Sequence, residues 1–441
     1  MVLAKDYETE SYLSSGISGF HYNGFRNEAP KPVILRTDKP VIKTGTAFGN
    51  NRRKQPKILL YSHDTFGLGN IRRTLLLAEN FKKQYPGSSI LIITGSPVIH
   101  AFRLPEGIDY IKLPSLDRVD AEKYQPMFLA DCAEEIRQTR EAIIEKIALG
   151  FNPDLFIVDK RAAGINGELL PALKKVRRKK PEVRIILGLR DILDAPERTG
   201  RVLRENGSYS VIEKFYDEVW IYGLREVFDT AAEYGFPGKI REKTFYCGYL
   251  KRPVRKRKPG GKDFRILVTT GGGGDGSRMI GTYLEGLSVG GIKFPIFSKI
   301  VFGPQMPEKT RADLLARFGG LPETIFSDFE ADLTEDYAEA DLVISMAGYN
   351  TVCELLSHRK RAILIPRSEP VREQLIRARL LSKLGIFEMV EPTKLSPGTL
   401  IEKISGIIRT AKRQRLFPEM DGLPRINRRV ENLLEEMICA S

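Results

Sequence analysis

The side chains best suited to chemistry in this 441-residue chain lie within residues 341–374. The run 341–346, DLVISM, predicts a short buried strand of a parallel sheet, and Gly348 follows it in a tight turn. Asn350 and Thr351 are good N-cap residues, so they predict that a helix begins there. Helix N-termini bind anions through free amide groups and the helix dipole, and glycine permits close approach. The segment therefore predicts a pocket for a phosphorylated nucleoside.

Charged side chains follow this turn at useful spacings. Glu354 lies one turn into the predicted helix, where it could accept hydrogen bonds from ribose hydroxyls rather than serve as a surface residue. The pair 373–374, Glu-Gln, comes after the next predicted strand and is flanked by Arg367, Arg372 and Arg377. At least one of these arginines is expected to lean toward a diphosphate, while the others are solvated.

Candidates for a general base follow strands in the first half of the chain. His63 and Asp64 come directly after the first predicted strand, and Asp191 comes after another. A carboxylate or imidazole there could take the proton of a reacting hydroxyl group, and Asp64 is preferred over His63. The alternatives are that Asp64 caps a turn, that His63 only packs, and that Arg190 holds Asp191 in an ion pair that lowers its pKa.

Two glycine-rich turns also follow predicted strands. The segment 271–276, GGGGDG, follows RILVTT, a position that favours close approach to phosphates over a merely flexible joint. In the segment 67–73, GLGNIRR, Gly67 and Gly69 permit either contact with a substrate or the tight packing that any Rossmann-like unit needs.

The chain alternates apolar β-type runs with segments of helix length, which predicts α/β architecture with parallel, doubly wound sheets. Two Rossmann-like domains are expected to face each other across a cleft, with ligands beyond the carboxyl ends of the strands. The predicted boundaries are a flexible N-terminal extension (1–55), an N-terminal domain (56–250), a basic linker (251–263), a C-terminal domain (264–423) and a terminal helix (424–441) that begins beyond a break at Pro424.

The net charge of +14 and the pI near 9.4 favour anionic partners. The excess is concentrated in four basic runs, which are read as solvated linkers and helix faces or as a surface for anionic lipid. Aromatic residues are largely missing from these runs, so nucleic-acid binding is not predicted. The runs are 51–57, 174–180, 251–258 and 409–415.

The four cysteines are scattered, without the spacing of a zinc site or a disulfide framework, and no Asp-x-Asp pair ends a strand. No metal and no cofactor is therefore predicted. The N-terminus lacks the apolar core of a signal peptide, and no apolar run is long enough to span a bilayer. We expect a cytoplasmic protein that contacts membranes only peripherally.

Several motifs together resemble the MurG-like GT-B glycosyltransferases of family 28, and within them a subgroup known mainly as predicted glycosyltransferases. The resemblance covers residues from about 57 to the C-terminus and is densest in SHDTFGLGNIRR, LGLRDILD, TTGGGGDG, MAGYNTVCELL and IPRSEPVREQLIRA. It implies a GT-B fold, with a nucleotide-sugar donor on the C-terminal domain and an acceptor on the N-terminal domain. It also implies that a final helix, here 427–437, crosses back.

The resemblance assigns donor-binding roles by position. Glu354 would hold the donor ribose, Glu373 and Gln374 would contact sugar hydroxyls, and the remaining positions would line the nucleobase or the phosphates. Those positions are Phe329 and Glu330 for the base, and Gly272, Gly273 and Gly274 for the phosphates. The turn, the helix N-terminus and the flanking arginines described above add further candidates for phosphate contact, namely Gly348, Tyr349, Asn350, Thr351 and Arg367.

One position departs from the family pattern. Relatives typically carry a histidine where this chain has Asn70, beside Gly67 and Gly69 on the acceptor side, and an asparagine cannot act as a base near neutral pH. The resemblance implies metal-independent, inverting transfer of a sugar, most simply from a UDP-sugar, to a hydroxyl acceptor such as a lipid or glycan. The alternatives are a nucleotide-sugar 2-epimerase and a catalytically silent sugar-nucleotide-binding protein.

Overall fold

Short apolar runs form the strands of two parallel sheets in the computed structural model, which describes residues 55–63, 69–119, 124–258, 263–292, 294–330, 332–410 and 416–440. The described residues belong to one compact unit, 54–441. The elements of the first half are β1 (Lys57–Ser62), α1 (Gly69–Gln84), β2 (Ser89–Thr94), β3 (Ile108–Lys112), β4 (Leu116–Arg118), β5 (Tyr124–Pro126), α2 (Ala133–Gly150), β6 (Leu155–Asp159), α3 (Leu170–Lys179), β7 (Arg184–Arg190), α4 (Pro196–Glu205), α5 (Ser208–Phe215), β8 (Glu218–Tyr222), α6 (Thr230–Glu233), α7 (Gly238–Glu242) and β9 (Thr244–Tyr246).

Seven of these strands form the N-terminal sheet, in the order β3-β2-β1-β6-β7-β8-β9, with parallel pairing throughout. The order reverses between β1 and β6, so the loops that follow these strands diverge and leave a crevice at their carboxyl ends. β4 and β5 pair separately as an antiparallel hairpin.

The second half repeats the alternation and forms the C-terminal sheet, in the order β12-β11-β10-β13-β14-β15, again with parallel pairing. Its order reverses between β10 and β13. The elements are β10 (Phe264–Thr269), α8 (Ser277–Ser288), β11 (Ile296–Val301), α9 (Glu308–Phe318), β12 (Thr324–Ser327), α10 (Thr334–Glu339), β13 (Leu342–Ser345), α11 (Tyr349–Ser357), β14 (Arg361–Leu364), α12 (Glu373–Lys383), β15 (Glu388–Met389), α13 (Pro397–Arg409) and α14 (Gly422–Ala440).

Buried apolar side chains hold helices to both faces of each sheet. One cluster packs α2, α3 and α5 on one face of the N-terminal sheet, and another packs α8, α9 and α13 on one face of the C-terminal sheet. A third cluster joins the two remaining faces and includes Trp220 of β8. Two layered sheets that share a buried core hold the strand ends of both sheets in fixed positions.

The last helix, α14, packs back against the N-terminal sheet. Ile426, Val430 and Leu433 are buried in the cluster that also contains residues of β1 and α1. The side chains of Asn427 and Asn80 of α1 hydrogen-bond at 2.6 Å. The prediction of a break at Pro424 is wrong: the helix begins at Gly422, so Pro424 lies in its first turn. A proline fits there because first-turn amides have no partner within the helix.

The basic segment 251–258 is tied to the C-terminal sheet and is not uniformly solvated. Arg252 is buried, Arg257 pairs with Asp341 at 2.5 Å, and the ammonium of Lys258 pairs with Glu335. Part of this positive charge is therefore neutralised by ion pairs within the chain.

Candidate functional site

A cavity of about 970 Å³ lies between the carboxyl ends of the two sheets. His63 after β1, Lys160 after β6 and Arg190 at the end of β7 line it from the N-terminal side. The residues after β10 and β13 line it from the C-terminal side. Both crevices created by the strand orders thus open into the same space.

Most of the residues that the sequence singled out lie on the walls of this cavity. Asp191, Gly273 and Gly274 do not line it, and Asp64 and Gly67 lie outside the residues that the structure describes. The predicted residues that line the cavity are His63, Gly69, Asn70, Gly272, Phe329, Glu330, Gly348, Tyr349, Asn350, Thr351, Glu354, Arg367, Glu373 and Gln374.

The N-terminus of α11 differs from the prediction. The helix begins at Tyr349 with Gly348 as its N-cap and has no side-chain cap, so Asn350 and Thr351 lie inside the first turn. The side chain of Asn350 instead donates to the carbonyl of Gly69 at 2.8 Å and accepts from Arg252 at 2.5 Å. The amides of the first turn are thus left without a side-chain partner, which keeps this end of the helix suited to an anion.

Glu354 is buried and faces the N-terminal side of the cleft. Its Oε1 atom accepts from Nη2 of Arg72, in α1, at 2.5 Å. Burial alone would lower the pKa of Arg72, but the charge of Glu354, the hydrogen bond to it and smaller contributions from other neighbours together outweigh burial and raise that pKa. The carboxylate assigned to the ribose is therefore paired with an arginine of α1, which packs on the N-terminal sheet. No local pattern indicates this pair, because 282 residues separate its partners.

In the glycine turn 271–274, some residues line the cavity and others pack against the protein. Gly272 lines the cavity, and its carbonyl accepts from the amide of Gln305 at 2.8 Å. Gly273 has a φ of +97° and packs on the carbonyls of Phe302 and Gly303, where a Cβ atom would come within 2.7 Å of the Phe302 oxygen. The requirement for glycine at position 273 is thus structural and independent of any ligand.

Glu373 begins α12 and is 2% exposed, among three arginines. Its carboxylate contacts Arg377 at 3.0 Å, Arg367 at 3.2 Å and Arg190 at 3.6 Å. Burial on its own would raise the pKa of Glu373, but the charges of Arg190, Arg377 and Arg367 outweigh it and hold that pKa at about 2. Glu373 is therefore ionised at neutral pH and ties both sheets together.

Of the three arginines that flank residues 373–374, only Arg367 is placed to meet a ligand in the cavity. Arg377 is fully buried, and Arg372 is exposed and does not line the cavity. Arg367 spans the cavity wall, with one nitrogen 2.7 Å from Asp275 of the glycine turn. Its amide faces Gln374 Oε1 at 3.5 Å.

Asp191 is buried in an ion pair with Arg377, whose guanidinium approaches both carboxylate oxygens at 2.7 and 3.0 Å. Asp191 also accepts from the amide of Ile192 and the hydroxyl of Tyr249. The predicted partner was Arg190, which instead lies near Glu373. An arginine from α12 could not be foreseen, because it comes from the opposite half of the chain, 186 residues away.

His63 is held in one tautomer by Asn70. Arg73 donates to Oδ1 of Asn70 at 3.0 Å, which fixes the amide orientation, and Nδ2 of Asn70 lies 3.3 Å from Nδ1 of His63. Since Nδ2 can only donate, Nδ1 accepts and Nε2 carries the proton. Burial, followed by the charges of Lys160 and Arg161, lowers the pKa of His63 well below its usual value. A neutral His63 in this tautomer is a hydrogen-bond donor rather than a base toward the cavity.

Phe329 and Glu330 lie at the far end of the C-terminal wall. The Phe329 side chain is 42% exposed, so its ring is available for stacking. Glu330 accepts from Ser327 at 3.0 Å and pairs with Lys299 at 3.2 Å. The arrangement suits a flat, polar-edged ring.

Several cations of the N-terminal wall were not among the predicted site residues, and Lys160, Arg161 and Arg190 are three of them. Lys160 and Arg161 directly follow the apolar run of β6, and this position at a strand end was a signal that could have identified them.

Within the described ranges, no group of three or more His, Cys, Asp and Glu side chains is arranged to hold a metal ion. A search of the same residues finds no helix with the length and apolar character needed to cross a bilayer.

Comparison with known proteins bears out the resemblance. Residues 291–431 match the model of the glycosyltransferase family 28 C-terminal domain. The chain is 26% identical over 174 residues to the UDP-N-acetylglucosamine–N-acetylmuramyl-(pentapeptide) pyrophosphoryl-undecaprenol N-acetylglucosamine transferase of Haemophilus influenzae strain PittGG. That alignment covers 39% of this chain and 48% of the relative, so the chain spans about half the length of the curated relatives it matches.

Solved structures share the fold over most of the chain. The crystal structure of Acinetobacter baumannii MurG superposes with a TM-score of 0.53 at 15% identity and covers 86% of this chain and 99% of its own. A putative UDP-N-acetylglucosamine 2-epimerase from Listeria monocytogenes superposes with a TM-score of 0.57 at 12% identity, covering 87% and 97%. The predicted GT-B fold, with two parallel-sheet domains, is confirmed.

Proposed function

We propose that this chain, a MurG-like protein whose residues 291–431 form a glycosyltransferase family 28 C-terminal domain within a GT-B fold, is a glycosyltransferase. It would transfer a sugar from a nucleotide-diphosphate sugar, most simply a UDP-sugar, to a hydroxyl acceptor. The observation that carries the proposal is that one cavity brings together the uncapped N-terminus of α11, Glu354, Arg367 and Gln374.

Each part of the donor has a matching group on the C-terminal wall. The diphosphate would meet the first-turn amides of α11, the Gly272 turn and Arg367. The ribose would bond to Glu354, the sugar to Gln374, and the base would stack on Phe329. Glu373 is held by three arginines, so it would position Arg367 rather than contact the sugar itself.

The proposed reaction is a single displacement that inverts the anomeric carbon. The acceptor oxygen forms a bond to that carbon, the bond from carbon to the diphosphate oxygen breaks, and the nucleoside diphosphate leaves with the electron pair. The acceptor proton passes to a base, for which Asp64 is proposed. Backbone amides and Arg367 stabilise the leaving charge without a metal, and the base adds a factor of about 10² to 10⁴.

Thermal shift with UDP-, GDP- and TDP-sugars tests the donor site. Selective stabilisation by one nucleotide sugar is expected, and Glu354→Ala should abolish it. Glu402→Ala, which removes an exposed carboxylate of α13, is the matched control and should leave the shift unchanged. Stabilisation by none of these sugars, or an equal shift in the Glu354 variant, would refute the proposed donor site.

Incubation with a UDP-sugar alone separates the alternatives. A transferase without acceptor leaves the sugar configuration intact, whereas conversion at C2 would show that the protein is an epimerase. Binding without conversion under any acceptor condition would favour a silent sugar-nucleotide-binding protein.

We also propose that the protein is cytoplasmic and contacts anionic membranes peripherally. The support is the net charge of +14 together with the exposed apolar side chains of Phe128 and Leu129, which are 78% and 54% exposed. Flotation with phosphatidylglycerol vesicles is the test, and a protein that stays with the soluble fraction would contradict this proposal.

A further inference from the structure

The N-terminal wall of the cleft carries positive charge that nothing in the donor site requires. Lys160 follows β6, Arg190 ends β7, and both side chains line the cavity opposite the C-terminal wall. Arg161 lines the same wall, with its guanidinium 5.1 Å from the ring of Tyr124 and donating to the hydroxyl of that residue. Three cations thus converge on the side of the cavity where an acceptor would lie.

The carboxylates nearest to these cations are already engaged. Asp159, next to Lys160 in sequence, is bound by Arg73 through contacts of 2.6 to 2.8 Å. Glu373, the ion-pair partner of Arg190, lies 3.6 Å from it and is closer to Arg377 and Arg367. One carboxylate therefore serves three arginines, and Arg190 is only weakly compensated.

Lys160 is only weakly compensated: the charge of Asp159 acts on it, but that carboxylate is bound by Arg73. The backbone of Lys160 is fixed, because its amide donates to the carbonyl of Gly188 at 2.7 Å and its φ is +67°. Within the described ranges, its ammonium forms no hydrogen bond and no ion pair. Burial, followed by the charges of Arg190 and Arg161, lowers the pKa of Lys160 well below its usual value. A backbone conformation that is rare for residues with a side chain thus holds the Lys160 amine beside guanidinium groups, where protonation of the amine costs free energy unless an anion enters.

A neutral donor completes the wall. His63 carries its proton on Nε2, because Asn70 donates to Nδ1. The wall therefore combines two incompletely neutralised cations, a third cation and a hydrogen-bond donor, a set of groups that matches the oxygen atoms of a phosphate or carboxylate.

We propose that Lys160 and Arg190 bind an oxyanion group, a phosphate or a carboxylate, on the acceptor. The identification of the ligand as the acceptor rests on the proposed function. The anion site itself depends only on the residues of this wall. The anion would supply the negative charge that Lys160 and Arg190 lack. It would also fix the acceptor hydroxyl relative to the donor sugar, so acceptors without the anion would be poor substrates.

Calorimetric titration of the full chain with inorganic phosphate tests the site. Lys160→Gln and Arg190→Gln are each expected to weaken phosphate binding by about tenfold or more, since each removes a charge-assisted contact. Lys179→Gln, which removes an exposed cation from α3, should bind phosphate as the wild type does. Equal phosphate binding in all four proteins, or none in the wild type, would overturn the proposal.

UDP binding by the same variants keeps the two proposals separate. Retained UDP binding in Lys160→Gln shows that the variant is folded and that the lost phosphate site is not the donor site. Phosphate binding that depends on Lys160 in a protein that ignores every nucleotide would support the anion site and refute the donor site.

Vesicles identify the source of the anion. Competition by phosphatidylglycerol vesicles, but not by phosphatidylcholine vesicles, against the phosphate bound at Lys160 would indicate a lipid headgroup. Competition by neither would indicate a soluble phosphate or carboxylate. Both results support the anion site.

Discussion

Arg72 and Glu354 form an ion pair across the cleft, with Nη2 and Oε1 2.5 Å apart. Arg72 belongs to the first helix of the N-terminal sheet, and Glu354 belongs to the helix whose N-terminus faces the proposed diphosphate site. The same two helices are also joined by the side chain of Asn350, whose Nδ2 donates to the backbone carbonyl of Gly69. The proposed ribose carboxylate therefore has a competitor from the opposite wall.

Arg72→Gln is expected to raise the affinity for UDP by roughly threefold or more, because Glu354 would no longer have to leave an arginine before it accepts ribose hydroxyls. Calorimetric titration with UDP measures the change. Lys82→Gln, on the same helix, provides the control. A loss of UDP affinity in the Arg72 variant would show that Arg72 helps to bind the donor.

Arg377→Met is expected to destabilise the fold by about 3 to 5 kcal/mol, because it leaves the buried carboxylates of Asp191 and Glu373 without their shared partner. Urea unfolding measures the loss. Arg379→Met removes an exposed pair with Glu391 from the same helix and should cost less than about 1 kcal/mol. Similar losses for the two variants would contradict the structural role of Arg377.

Glu373 predicts a specific dependence of stability on pH. Its folded-state pKa of about 2 lies below the usual 4.5, so its stabilising contribution is complete above the usual value and is lost as the pH falls toward the folded value. Glu373→Gln should therefore be less stable than wild type at neutral pH, by about 3 kcal/mol. That difference should shrink between about pH 5 and about pH 3 in urea unfolding. A constant difference would mean that folding does not shift the pKa of Glu373.

His63 should remain neutral across the physiological range, because burial and neighbouring cations lower its pKa. NMR of the imidazole ring is expected to show the resonance of Nε2-protonated histidine, with no titration between about pH 6 and about pH 8. His63→Asn assigns the signal by its disappearance. Titration within that range would contradict the lowered pKa, and a ring protonated on Nδ1 would contradict the hydrogen bond from Asn70.

Neighbouring glycines of the turn are expected to differ in their tolerance of a side chain. Gly273→Ala is expected to destabilise the protein by about 1 to 3 kcal/mol, because the positive φ and the carbonyl of Phe302 leave no room for Cβ. Gly274→Ala should be close to neutral, since its nearest neighbour lies 4.0 Å away. Thermal unfolding of the two variants provides the measurement, and equal stability would contradict the geometry of the turn.

The architecture could be predicted because its signals are local. The apolar runs of β1 and β10, each followed by a glycine-rich turn, mark parallel strands that end at a crevice. The register of Glu354 one turn into α11 also placed it on the cavity wall. These properties depend on residues within a few positions of one another.

The pairings within the site could not be predicted, because they join distant segments. Asn350 is a residue type that favours the N-cap position, but its side chain bonds to Gly69 and Arg252 instead. Asp191 pairs with Arg377 although Arg190 is its neighbour in sequence. Single-sequence patterns report periodicity and turns, whereas the choice among several arginines depends on the packing of two sheets.

The position of α14 constrains how this molecule is made. Ile426, Val430 and Leu433 complete an apolar face whose other members, such as Ile71, are synthesised more than 300 residues earlier. During translation that face would stay exposed until α14 has left the ribosome, so the N-terminal domain cannot finish folding before then. We therefore expect truncation of the last helix to yield aggregated protein rather than a soluble lobe.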